Sequence, residues 1–406
     1  MIILADMSIH RTALLNNLCA TVLLAAVGLA ACQTSTPTSA PTVPVVTPTL
    51  APITPPPAPT FAPIESPDGL VVAFVADGTL WLWRTGEDPV PLTTADAFPA
   101  PTLSSDGAWI AFTRAGGVLT IATTGADERV VPLVGGIGQY TWRPGAAELV
   151  LTIAVAAETQ LQRFDPTTGD LSEVGTFGAD AAFTFAPDGA HLALATPEQL
   201  QLLTAAGEPV GEPLAFPAIA ISDTQRWRPT PVWLDVETVR LFTITSADED
   251  AETVVWEVSV AGASTEVARQ PGAAFGGLLA PDGVRLLFSQ ADQTLGLWEL
   301  EAGTGRTAID APGAAALAWA SAEAYVYTGI DPLQPFVQGV APDALPRPIG
   351  RGQVLALKWL TGEWVLYSAT ADAGEQLRLA EVGGVDSLLG ISSAGAIGYD
   401  ALIAPP

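Results

Sequence analysis

The chain has 406 residues and a formal net charge of −27, which excludes a role resting on phosphate neutralisation, because nucleic-acid surfaces need clustered cations. Hydrophobic residues make up 49%, and 38 Gly with 35 Pro mark a turn-rich β protein rather than a helical bundle. Two Cys and two His leave little material for thiol, zinc or haem chemistry.

In chain order the first element is an export signal. Met7-Ser8-Ile9-His10-Arg11 supplies a short positive segment, and an apolar stretch follows from Leu18 to Leu29. That stretch is too short to span a bilayer and has the length of a signal core. It ends in Leu29-Ala30-Ala31-Cys32, which resembles a bacterial lipobox. The resemblance implies cleavage of residues 1–31, acylation of Cys32, and export with the protein held by lipid on the outer face of a cell membrane or outer membrane. A plain secretory signal that happens to end in cysteine is the competing reading. Cys19 leaves with the signal, so no internal disulfide is expected. Residues 32–62 are dominated by Thr and Pro with no hydrophobic period, the composition of an extended polyproline spacer.

From residue 63 the chain repeats itself. A tight corner followed by an apolar strand appears as Ser66-Pro67-Asp68-Gly69 before LVVAF, Ser104-Ser105-Asp106-Gly107 before AWIAF, and Arg143-Pro144-Gly145 before AELVLTI. It returns as Ala186-Pro187-Asp188-Gly189 before AHLALA and Ala280-Pro281-Asp282-Gly283 before VRLLFS. Degenerate corners sit at Leu234–Glu237, Ala320–Glu323 and Leu360–Glu363, and Trp142, Phe185, Trp233, Trp319 and Trp359 stand just before five of the corners. Proline presets φ, aspartate accepts from following N–H groups, and glycine takes the positive φ that closes the turn. The corners are spaced 38, 39, 43, 48, 46, 40 and 40 residues apart, the length of a four-stranded propeller blade.

These corners resemble the WD40-like (PD40) repeats of TolB-type propellers, over residues 63–406. The resemblance implies an all-β propeller of eight four-stranded blades, with seven as the alternative if the long fourth and fifth repeats share strands. The apolar segment 396–404 is expected to close the ring by pairing into the first blade as its inner strand. The resemblance carries architecture and no site residues, because propellers host unrelated activities.

No catalytic, cofactor or metal site is predicted. Gly390-Ile391-Ser392-Ser393-Ala394 misses the last glycine of a nucleophile elbow, and His191 falls at the start of a repeat strand. Asp248–Glu252 offers oxygen ligands without calcium-loop spacing, and Gly303-Thr304-Gly305 reads as a hairpin turn. Arg347, Arg351 and Lys358 read as local charge balance. The segment that breaks the pattern is 222–233, where Arg226-Trp227-Arg228 places two guanidiniums around an indole on an acidic protein. One reading is a partner-binding loop; the other packs Trp227 under the loop and pairs the arginines with carboxylates. The expectation is a monomeric, lipid-anchored, extracytoplasmic protein-binding or scaffolding module that does not bind nucleic acid. A glycan- or peptide-active enzyme using channel carboxylates, and a small-ligand or calcium sensor, are the alternatives.

Overall fold

The computed structural model describes residues 66–403, apart from short stretches at 157, 224, 249, 291–292, 312, 330–333, 351–352, 361–362, 373 and 383–385. The signal, Cys32 and the Thr/Pro segment lie outside the described residues. Eight four-stranded antiparallel sheets follow one another along the chain. Blade 1 takes Leu70–Ala76, Thr79–Arg84 and Val90–Thr94, and its remaining strand, Gly398–Ile403, comes from the far end of the chain. Blades 2 to 8 then occupy 102–130, 136–178, 182–215, 232–271, 278–309, 315–348 and 354–393. The protein is an eight-bladed propeller, and the seven-bladed alternative falls. The extra length of the fourth and fifth repeats lies in the connection 216–231 and the turn 245–251, so no strands are shared.

The corner chemistry works as the sequence implies. Gly69, Gly107, Gly145, Gly189 and Gly283 all sit at φ between 68° and 72°, a region that a side chain would strain. Asp106, Asp188 and Asp282 each accept from the N–H two residues on, at 3.0, 2.9 and 3.0 Å. Asp235 does the same in a degenerate corner, accepting from Glu237 at 2.8 Å and Thr238 at 2.7 Å.

Period-two alternation then divides each apolar strand between two neighbours. In the strand Leu70–Ala76, Leu70, Val72 and Phe74 pack with Leu366, Leu377 and Leu379 of blade 8. Val71, Ala73 and Val75 pack with Ile110, Phe112 and Leu119 of blade 2. Eight such clusters fill the eight seams between blades.

Polar stitches set the angle between blades. The indole N–H groups of Trp142, Trp233 and Trp319 donate to the carbonyls of Thr102, Thr184 and Leu278, on the first strand of the preceding blade, at 3.0, 3.2 and 2.9 Å. This accounts for tryptophan ahead of those corners: an indole taken wholly or partly out of water needs an acceptor, and the neighbouring strand edge supplies one. Arg143, Arg240 and Arg285 reach forward instead, to the carbonyls of Gly189, Gly283 and Ala322 at the next corner, at 2.8, 2.7 and 2.9 Å.

Ring closure follows the expected route. Gly398–Ile403 pairs antiparallel with Leu70–Val75, from Leu70 opposite Ile403 to Val75 opposite Gly398. Asp400, on this strand, binds Lys358 of blade 8 and accepts the Leu103 N–H of blade 2 at 2.7 Å. One carboxylate therefore ties three blades together.

Candidate functional site

Antiparallel strands alternate direction, so each blade's first turn, the corner, lies on the same face of the ring as its third. The second turns and the connections between blades lie on the opposite face. Of those connections, 216–231 is much the longest, and it has structure of its own. Ala220 and Arg226 form a β-bridge, the Trp227 N–H donates to Ile219 O at 2.7 Å, and the Ile221 N–H donates to Gln225 O at 2.9 Å. The result is a small hairpin with Ser222 and Asp223 at its tip, where Ser222 Oγ accepts from the Gln225 N–H at 3.1 Å.

The hairpin is fixed from below. Trp227 is only 8% exposed and packs on Phe242 with ring centroids 5.6 Å apart, among Ile219, Ile244 and Ala251. Of the two readings of Trp227, the structure shows the indole packed under the loop and not the surface anchor. The strand ends of blade 5 leave apolar surface that needs a cover, and the indole is the largest group within reach. Arg228 is half-buried and donates to the carbonyl of Asp180, on the connection before blade 4, at 2.5 Å. Burial pushes its guanidinium pKa down, opposed by the Asp180 charge.

Arg226 is exposed and makes no ion pair among the described residues. Beside it, Ile221 is 54% exposed, and Phe275, one residue past the Ala274 that packs under the hairpin, is 38% exposed. The hairpin therefore presents one cation, one carboxylate and one large apolar side chain, Ile221, on a stiff base.

The other candidates fall elsewhere. His191 begins the second strand of blade 4, and its Nδ1 is buried with no hydrogen-bond partner among the described residues. Ser392 is exposed on the outer strand of blade 8. In the acidic turn, Glu252 pairs with Arg269 at 2.5 Å, Asp248 is exposed, and Glu249 lies outside the described residues. Arg347 pairs with Glu363 at 3.0 Å and Lys358 with Asp400, while Arg351 lies outside the described residues. A cavity of about 250 Å³ lies between blades 8 and 1, lined by Lys358, Trp359, Leu360, Ala401, Leu402 and Ile403. Its one cation is already committed to Asp400, so it offers little to a ligand.

One titratable group was not legible in the repeats. Glu375, at the start of a strand in blade 8, is 9% exposed, and burial raises its pKa above the usual carboxylate value. Its protonated form is favoured by folding. The contribution to stability is therefore full below the unfolded carboxyl pKa, about 4.3, and is lost as pH rises through the raised folded value. Glu375→Gln should melt higher than the parent at pH 7 and lose that advantage at pH 4. Equal differences at both pH values would show that the carboxyl is not desolvated.

No family model and no curated protein matches this chain. Solved structures do. Dipeptidyl peptidase 4 of Porphyromonas gingivalis aligns with a TM-score of 0.52 and 10% identity over 74% of this chain, which spans about half of that protein's length (54%). The β-propeller domain of the Trilobed protease from Pyrococcus furiosus aligns at TM-score 0.48 and 11% identity, over 73% of this chain and 97% of that one. TolB from Acinetobacter baumannii aligns at 0.34 and 14%, over 58% and 62%. Identities this low speak to fold alone. Eight sheets, a shared corner and a terminal strand returned to the first blade make this chain an eight-bladed β-propeller.

Proposed function

We propose that this protein is a non-catalytic binding module, carried outside the cytoplasm on a lipid anchor at Cys32, and that the hairpin of connection 216–231 recognises a protein partner. The observation that carries the reading is the hairpin itself. Its lower side is held by Trp227 and Arg228, while Ile221, Asp223 and Arg226 stay exposed on top. An unconstrained loop would lose conformational entropy on binding, and a pre-ordered one avoids much of that cost. Exposed arginine beside apolar side chains is a composition common at interface centres. The lipobox and the Thr/Pro segment support the anchored, outward placement.

The test is affinity capture from an envelope extract with the detergent-solubilised full chain, run beside Ile221→Asp/Arg226→Ala and Cys32→Ser. One stoichiometric protein, retained at moderate salt and reduced roughly tenfold by the hairpin variant, is the expected result. Cys32→Ser should move the protein from the membrane to the soluble fraction. Capture indifferent to the hairpin variant would remove this site, and an empty eluate would overturn the binding reading.

A further inference from the structure

The seam that closes the ring has a cavity at one end. Lys358, Trp359 and Leu360 line one side of it and Ala401, Leu402 and Ile403 the other, around about 250 Å³. The first three residues end the inner strand of blade 8 or lie just past it, and the last three end the closing strand of blade 1. Both strands reach the corner face at these residues. The cavity therefore lies at the corner face, on the side of the ring opposite the hairpin.

The chemistry of the lining suits an uncharged apolar group. Leu360 and Ile403 are half-buried and pack, with Trp364, on the cluster of Leu70, Val72 and Leu379. Side chains that face a cavity lack partner atoms on one side, so an apolar group brought there gains contacts. Lys358 is already held by Asp400, so an ionised group finds no free counter-charge.

The chain itself brings such a group to this place. Leu70 stands opposite Ile403 in the closing pair, with about 5 Å between Cα atoms across a ladder of this kind. Ser66 lies four residues before Leu70 and is tied down at the corner: Ser66 Oγ donates to Thr85 Oγ1 at 3.2 Å, and Thr85 Oγ1 to Pro67 O at 2.9 Å. The segment ahead of Ser66 thus enters the fold beside the cavity. From Gln33 to Ile64 it has no charged residue, and Phe61 is its one aromatic. Phe61 is five residues from Ser66, a reach of about 17 Å when the chain is extended.

Covalent attachment decides between this segment and a separate partner. A group held a few residues from its site is present at an effective concentration in the millimolar range, so a contact too weak for a free peptide is still occupied.

We infer that Phe61, with Pro63 and Ile64 beside it, docks in the cavity between blades 8 and 1. The Thr/Pro-rich segment is then fastened to the corner face, and the hairpin face is left clear of it. The inference uses neither the lipid anchor nor the hairpin reading, and it stands if both fail. Its test is hydrogen exchange, read by mass spectrometry, on the detergent-solubilised full chain as parent, Phe61→Ser and Leu50→Ser. In Phe61→Ser the peptides 354–360 and 398–403 should exchange roughly tenfold faster than in the parent, and in Leu50→Ser they should be unchanged. Phe61 lies ahead of the first blade, so peptides of blades 3 to 6 should exchange alike in all three chains, which separates lost docking from lost fold. Parent-like exchange in Phe61→Ser, equal acceleration in both variants, or acceleration spread over all eight blades overturns the inference. So does protection of these two peptides that appears only when envelope extract is added, because the occupant is then a separate partner.

Discussion

Removing residues 396–406 should abolish the cooperative fold. The lost strand covers the whole inner edge of Leu70–Val75. With it go Ile397 and Ala401, buried beside Leu70, Val72 and Phe74, and the packing of Tyr399 and Ile403 on the same cluster. Leu402 is lost from the seam on the other side, between blades 1 and 2. At about 1.5–3 kcal/mol for each large side chain fully buried, and after a discount for partial exposure, the loss is on the order of 5 kcal/mol. That is comparable with the net stability of an ordinary domain. The truncated ring also exposes an unpaired apolar edge, which invites aggregation. Thermal scans of soluble material decide the matter: a truncated chain that melts at the parent temperature would show that the terminal strand does not close the ring.

Gly398→Ala should destabilise the same seam, although it adds one methyl group. A Cβ at this position would stand 1.8 Å from the carbonyl oxygen of Ala97 and 2.9 Å from its carbon. Both are backbone atoms of the connection into blade 2, so no side chain can swing aside. The strand itself is held by its pairing to blade 1 and by Asp400, which binds both Lys358 and the Leu103 N–H. Overpacking against fixed backbone costs about 3 kcal/mol or more. The melting temperature should fall by roughly 5 °C or more. Gly395→Ala, where a Cβ meets nothing within 4 Å, is the matched control and should stay within about 0.5 kcal/mol of the parent. Equal melting of the two variants would mean that the seam is loose enough to shift.

Much of this architecture was legible because it repeats. Proline, aspartate and glycine at a corner act on their own backbone within a few residues. The phrase Pro-Asp-Gly therefore carries its turn wherever it stands, as the shared φ near 70° at Gly69, Gly189 and Gly283 shows. The apolar strands after the corners were readable for a similar reason: both faces of a blade strand are buried, so alternation collapses into a continuous apolar run. The strand Pro335–Gly339 of blade 7 follows no corner and has no such run, since PFVQG mixes a proline, a glutamine and a glycine. The candidate site was half legible. Residues 222–233 stood out by breaking the repeat, but the roles within them did not. Trp227 could be read as a surface anchor until the strand ends beneath it, at Phe242 and Ile244, were seen to need cover.

Turn type and the length of a blade were thus written locally, in side chains that act on neighbours within one repeat, while eight blades rather than seven was decided by how the strands pair. Three things depended on residues far apart in the chain. Asp400 meets Leu103 across 297 residues, Arg228 meets Asp180 across 48, and Phe98 comes to the same end of blade 2 as Val131 only through the two strands between them. Closure, the footing of the hairpin and the meeting of segments at the end of blade 2 are properties of the assembled ring. They arise where strand edges and connections from different repeats meet, and no local pattern records which residues those will be.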